Sequence, residues 1–240
     1  MSGKARRSWL VVPVSKPDLI ARAAKSGADV IVLDLAEFVV EADRESARTN
    51  FAAALQSARS AGAEAFAQVD PTALYDDLNA CVHPGLAGIV ITRAESVGEI
   101  AEADALLSRL ESERGITAGS SVQIVPALET ARGNHVGYEI ARASPRICAL
   151  TLGRADLIMD LRAEPSNEIH LMPYLMQRLI IVAGAAGVTP LGAWWRAPDR
   201  GLYATADSTY AAGQRGRAIG FKGALCLVDQ QVEPLNRAYA

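Results

Sequence analysis

Short apolar runs alternate with stretches of helical periodicity eight times along these 240 residues, and no other feature limits the fold so tightly. The runs are 8–14 (SWLVVPV), 29–35 (DVIVLDL), 64–69 (EAFAQV), 87–92 (AGIVIT), 122–128 (VQIVPAL), 147–152 (ICALTL), 187–194 and 220–228. Several are apolar at consecutive positions, as in strands covered on both faces. Between them, Pro17 opens a helix that ends before Gly27. Ala47, Phe51, Ala54, Leu55 and Ala58 follow helical spacing behind an Asp43 cap. A short helix is expected over 73–82. Ser96 and Glu99 form a capping box ahead of the stripe Ile100, Ala103, Leu107 and Leu110. Further helices are expected over 133–143, 167–186 and 203–217, and after Asp229. This alternation predicts a parallel sheet. Eight repeats in a chain of this length predict an α/β fold, a (β/α)8 TIM barrel, as a single domain over 1–240. The rival, a doubly wound open sheet, would want a Gly-rich phosphate loop after the first strand, where the chain reads VPVSKPD. Pro126 is expected to mark a bulge at the exit of the fifth strand.

In such a fold the residues just after each strand share one mouth. Lys16 follows the first strand, Asp34 and Glu37 the second, Gln68 and Asp70 the third, and Arg93 the fourth. Glu129 follows the fifth and Asp156 the sixth, with Arg154 beside it. From 129 to 156 is close to one strand–helix repeat, so the two acids should meet on neighbouring strands. Two carboxylates with open positions suit a hard divalent cation, above all magnesium. Arg93 or Arg154 could pair with a substrate carboxylate or phosphate. His83, His135 and His170 read as packing or surface residues. HExxH, GxSxG and Walker signatures are missing, so zinc protease, serine hydrolase and nucleotide hydrolase readings lack support.

The net charge of −3 points to neither nucleic acid nor an anionic membrane as partner. No run of about 20 apolar residues is present to span a bilayer. MSGKARR is basic, but the apolar run after it is too short for a secretory leader. Three scattered cysteines without a CxxC read as reduced thiols, which fits a cytoplasmic protein.

The segments RSWLVVPVSKPDLIARA, GADVIVLDLAE, LETARG, LTLGRADLIMDL and GFKGALCLVDQQVEPLN, in this order, resemble the citrate lyase β-subunit-like group of the HpcH/HpaI aldolase family. LETARG followed by GRADL is the most specific part. The resemblance implies a (β/α)8 barrel assembled as a homo-oligomer, a trimer or hexamer. It implies magnesium-dependent cleavage or formation of a carbon–carbon bond in a hydroxyacyl substrate, often a coenzyme A thioester such as citryl-, malyl- or citramalyl-CoA. Matched residue by residue, it makes Glu129 and Asp156 the metal ligands. The candidate catalytic residues are Asp34, Glu37, Gln68 and Arg93, and the candidate substrate- or cofactor-binding residues are Arg7, Lys16, Asp70 and Arg154. The chain departs from the family pattern at Val14, Ala36, Gln68, Asp70 and Arg93, where the family usually has Gly, Glu, Arg, Asn and Lys. A coenzyme A-independent pyruvate or oxaloacetate aldolase is a second reading. A diverged relative that binds metal or metabolite without turnover is a third.

Overall fold

The computed structural model describes residues 5–117, 121–161, 168–195 and 201–240. Eight strands run β1 (Ser8–Pro13), β2 (Val30–Asp34), β3 (Glu64–Val69), β4 (Leu86–Ile91), β5 (Gln123–Pro126), β6 (Ala149–Thr151), β7 (Thr189–Leu191) and β8 (Ala224–Cys226). The helices are α1 (Pro17–Lys25), α2 (Arg44–Arg59), α3 (Leu74–Cys81), α4 (Val97–Glu113), α5 (Ala131–His135), α6 (Gly137–Ala141), α7 (Arg154–Leu161), α8 (Glu168–Ala186), α9 (Ala206–Ile219) and α10 (Val232–Ala238). Six strands form one parallel sheet in the order β5-β4-β3-β2-β1-β8, and β6 pairs with β7 in a second parallel sheet.

The two sheets touch at both junctions. Gly192 N–H donates to Gly223 O (2.8 Å) and Lys222 N–H to Pro190 O (3.1 Å) between β7 and β8. Between β5 and β6 the described residues form two isolated bridges, Ile124 to Ile147 and Ala127 to Thr151. Pro126 explains the gap. It is the last residue of β5, paired in register with Ile91, and there is no bulge of the kind expected. Ile124 N–H donates to Arg146 O, and Cys148 N–H donates back to Ile124 O. The next donor on that side would be residue 126, which has no N–H. Cys148 O instead accepts from Thr189 N–H on the far side (3.0 Å). The proline thus costs the sheet one rung between β5 and β6, and pairing resumes beyond it where Leu128 N–H donates to Thr151 O (2.9 Å).

Alternation along the strands separates two cores. Trp9, Val11, Val30, Val32, Phe66, Val90, Val125 and Leu191 face one another inside the curl. Trp9 and Phe66 meet at 4.7 Å, tilted by 60°. Gly88 lies beside them, and a methyl there would sit 2.7 Å from Phe66 Cδ1 and closer to Cε1. The other strand face packs on the helices, through residues such as Leu10, Ile31 and Ile89 against Phe51, Leu78 and Ile100.

The helix ends follow their caps. α4 begins with the Ser96–Glu99 capping box. The helix expected over 203–217 is instead 206–219, because Thr205 and Ser208 cap it and Gly201–Tyr203 form a separate turn. The helix expected over 133–143 breaks into α5 and α6. Arg178 reaches across from α8 and takes the Asn134 and His135 carbonyls at the break, so those acceptors need no helical partner. The seventh and eighth strands are shorter than their apolar runs, because Gly187 and Gly220, at φ 75° and 122°, still belong to helix exits. Among the described residues no helix is long and apolar enough to cross a membrane.

Candidate active site at the carboxyl ends of the strands

Parallel strands bring their carboxyl ends to one rim, and the register fixes which residues meet there. Pro13 lies opposite Asp34, Asp34 opposite Gln68, and Gln68 opposite Val90. Asp34 and Gln68 are therefore direct neighbours, both buried. The Asp34 carboxylate accepts N–H bonds from Ala36 (3.0 Å), Glu37 (3.2 Å) and Phe38 (2.7 Å). Burial pushes this carboxyl above its ordinary range, and the three N–H bonds only partly offset it. Asp34 thus shapes the loop that carries Glu37, which is exposed at the rim.

Beside β3, Asp70 caps the next turn by accepting from Thr72 N–H (2.9 Å) and pairs with Arg44 of α2 (3.1 Å). Burial alone would raise the Asp70 carboxyl, but Thr72 and Arg44 outweigh it and hold it below the ordinary range. Asp77 of α3 is fully buried, accepts the Asp70 N–H (3.0 Å) and pairs with Arg48 (2.8 Å). These acids and arginines form a polar brace from α2 through β3 to α3. Neither Arg44 nor Asp77 stood out in the sequence, because each finds its partner on another element.

Glu129 is a second constrained acid of the rim. It is 7% exposed, and its Oε2 accepts the Arg93 N–H at 2.8 Å. Arg93 offers that N–H from a left-handed conformation, φ 48°, unique among the described non-glycine residues. On the other side stands Gly153, in the loop between β6 and α7. A methyl at Gly153 would lie 2.6 Å from Glu129 Cδ and closer still to Oε1 and Cγ. The carboxylate is therefore held between an amide and a bare α-carbon. Thr130 then caps α5 by accepting from Gly133 N–H (3.0 Å), and Asp160 of α7 accepts the Ala131 N–H (2.7 Å). That bond ties the segment after β5 to the helix after β6.

Arg154 and Asp156 lie in the first turn of α7, next after Gly153. Their side chains lie outside the described residues, as does that of His170. Among the described residues no group of three or more His, Cys, Asp or Glu could hold a metal ion. Lys16 is exposed at the start of α1, and the Arg93 side chain is exposed after β4. Arg7 is not brought to this rim. It precedes β1 rather than following it, so it stands at the opposite end of the strands, bound to Asp29 through its N–H (2.9 Å) and its guanidinium (2.8 and 3.0 Å).

The arrangement offers clamped oxygen donors beside exposed cations, at the end of a parallel sheet where ligands bind. The chain is similar to citrate lyase subunit beta of Leuconostoc mesenteroides subsp. cremoris, 26% identical over 240 residues, covering 99% of this chain and 78% of that protein. It is also similar to an L-malyl-CoA/beta-methylmalyl-CoA lyase of Cereibacter sphaeroides, 31% identical over 159 residues, which cover 64% of this chain and 49% of that one. Its fold is shared with protein CitE from Mycobacterium tuberculosis, solved in complex with magnesium and pyruvate, at TM-score 0.76 and 23% identity over 98% of this chain and 90% of that one. The CitE complex with magnesium, acetoacetate and coenzyme A matches at TM-score 0.74 and 22% identity, over 98% of this chain and 81% of that one. The model of one family, HpcH/HpaI aldolase/citrate lyase, matches residues 7–228, from the strand that opens the sheet to the end of the last one, and it is to this family that the chain belongs.

Proposed function

We propose that this chain is a magnesium-dependent carbon–carbon lyase that cleaves a hydroxyacyl substrate carried as a coenzyme A thioester. The observation that carries the reading is the clamp on Glu129, between the Arg93 amide and Gly153. A carboxylate fixed in this way is a hard oxygen donor in one orientation, which suits a small cation that demands near-ideal geometry. Glu129 and Asp156 would hold the metal. When bound, the cation would stabilise the negative charge that develops on a substrate oxygen as the carbon–carbon bond breaks. The Gln68 amide, buried next to Asp34, would donate to the acyl carbonyl. Arg93 and Lys16, exposed on the rim, would pair with carboxylate and phosphate groups of the substrate, with Arg154 beside them. Glu37 would take the proton of the substrate hydroxyl as the carbon–carbon bond breaks and return it to the departing carbon. Asp34 would act as a positioning residue, since its carboxylate already holds the Glu37 N–H. Asp70 would keep the loop after β3 in place through Thr72 and Arg44.

The magnesium and coenzyme A bound in the M. tuberculosis structures support this choice of cofactor and substrate class. The same reading takes the curled sheet as a closed (β/α)8 barrel formed by one domain over 1–240. The contacts at both junctions between the sheets support closure. Tyr174 and Ile181, exposed seven residues apart on α8, support assembly as a homo-oligomer.

Titration calorimetry on metal-stripped protein tests the proposal. Magnesium should bind, oxaloacetate or pyruvate should then bind only in its presence, and Glu129→Ala should abolish both. Oxo-acid binding without magnesium, or unaltered in Glu129→Ala, would sink it. Turnover of citryl-, malyl- or citramalyl-CoA then identifies the acyl group.

A further inference from the structure

The helix that follows β6 is held to the segment after β5 at two points. The first is Gly153, the residue before α7, whose bare α-carbon abuts the Glu129 carboxylate. The second is Asp160, two helical turns on, whose Oδ2 accepts the Ala131 N–H at 2.7 Å. Between them the chain is helical from its first bond, Leu157 N–H on Gly153 O (3.2 Å). Leu157 is fully buried, and Leu161 packs against the same core. These two leucines, one turn apart, settle the rotation of α7. Positions 156 and 160 form the neighbouring stripe, also one turn apart.

Asp160 is exposed, and among the described residues it pairs with no arginine or lysine. Its carboxylate is engaged by a backbone N–H at the start of α5, where no helical acceptor exists. Seven residues of helix rise about 10 Å, so the two contacts stand well apart and oppose tilting as well as sliding. Position 156 falls between them.

We propose that Asp160 is a positioning residue of the candidate metal site, which holds α7 at the span from Glu129 that one cation shared with Asp156 requires. This rests on the magnesium reading of Glu129 and Asp156. Asp160 acts through the backbone of residue 131, two residues after one proposed ligand, and through one turn of helix to the other. With Ala131 released, α7 keeps the Gly153 contact and can tilt about it. Magnesium tolerates such a change poorly, because it demands near-ideal octahedral geometry, whereas calcium accepts looser shells.

The test is titration calorimetry on metal-stripped protein with magnesium and, separately, calcium, joined to amide hydrogen exchange of residue 131. Asp160→Ala should bind magnesium about tenfold more weakly, the low end for loss of a group that orients a metal ligand. Its calcium affinity should fall less, and its Ala131 amide should exchange faster. Asp160→Asn keeps an oxygen for the Ala131 N–H and loses only the charge, so it should stay close to wild type in every readout. Far-UV circular dichroism melts show whether each variant is folded, and Asp160→Ser, too short to reach that N–H, replaces Asp160→Ala if the latter is not. The proposal is overturned if Asp160→Ala binds magnesium as tightly as wild type, if Asp160→Asn is as weak as Asp160→Ala, or if calcium affinity falls as far as magnesium affinity. Glu129→Ala separates the two readings. Magnesium binding unaltered in Glu129→Ala overturns the metal site and this inference with it, whereas binding lost there and kept in Asp160→Ala overturns only the role of Asp160.

Discussion

Replacing Gly153 with alanine tests the clamp on Glu129 without touching an ionisable group. The added methyl would stand 2.6 Å from Glu129 Cδ, where ordinary contact begins at 3.4 Å. The carboxyl carbon must therefore retreat by at least about 0.8 Å, taking Oε2 away from the Arg93 N–H. Loss of a hydrogen bond to a charged acceptor costs about 1.5–3 kcal/mol, and the crowding adds to it. If half of that appears as lost stability, the melting temperature falls by roughly 2–5 °C for a chain of this size. The effect on magnesium should be larger, because a ligand misplaced by about 1 Å can cost a hundredfold. Two assays follow it. Calorimetry should show magnesium affinity down by about ten- to a hundredfold. Amide hydrogen exchange should show Arg93, protected in the wild type, exchanging faster in the metal-free variant. An Arg93 amide as protected as before, with unchanged magnesium affinity, would refute the argument that a bare α-carbon at 153 sets the Glu129 carboxylate.

Asp77→Ala should destabilise by about 3–5 kcal/mol in urea denaturation, because Arg48 loses its buried partner and the Asp70 N–H its acceptor. Gly88→Ala should cost about 1–3 kcal/mol by the same measurement, since its methyl meets the Phe66 ring. Asp104 gives a pH signature. Burial alone would raise its carboxyl, but Ser144 and Arg146 hold it below the ordinary range. Its stabilising contribution is whole above the unfolded value of about 3.8 and is lost as the pH falls through the lower folded value. Stability against pH should therefore be flatter below pH 3.8 in Asp104→Asn than in the wild type. Identical acid limbs would contradict this.

Much of the fold was written in local pattern. β3 spans the residues that its apolar run predicts, and the buried stripes of α2 and α4 fall on the residues that helical spacing selects. The Ser96–Glu99 box is legible because its partners are three residues apart. What escaped were contacts between elements. Asp34 reads as a rim acid, yet its carboxylate turns back on its own loop. Arg7 reads as a binding cation, yet it precedes its strand and closes on Asp29. Gly153 carries no side chain to advertise a role, and only the approach of Glu129 gives it one. Pro126 signals a disturbance, but whether it produces a bulge or a missing rung depends on a neighbouring strand that the local sequence does not encode.

That missing rung has a mechanical consequence. A curled sheet parts first along its weakest line, and here two bridges separated by a proline join β5 to β6. Fluctuations that part the wall should therefore start at this seam, and native-state exchange should find the amides of 147–151 less durable than those of β2 or β3. Glu129 hangs from one lip of the seam and α7 from the other, with the Leu128 N–H on Thr151 O (2.9 Å) and the Ala131 N–H on Asp160 as stitches across it. An ion gripped from both lips would act as a rivet. Occupancy would then be felt as rigidity of the whole wall, and the apo chain would breathe at the place where its chemistry is proposed to occur.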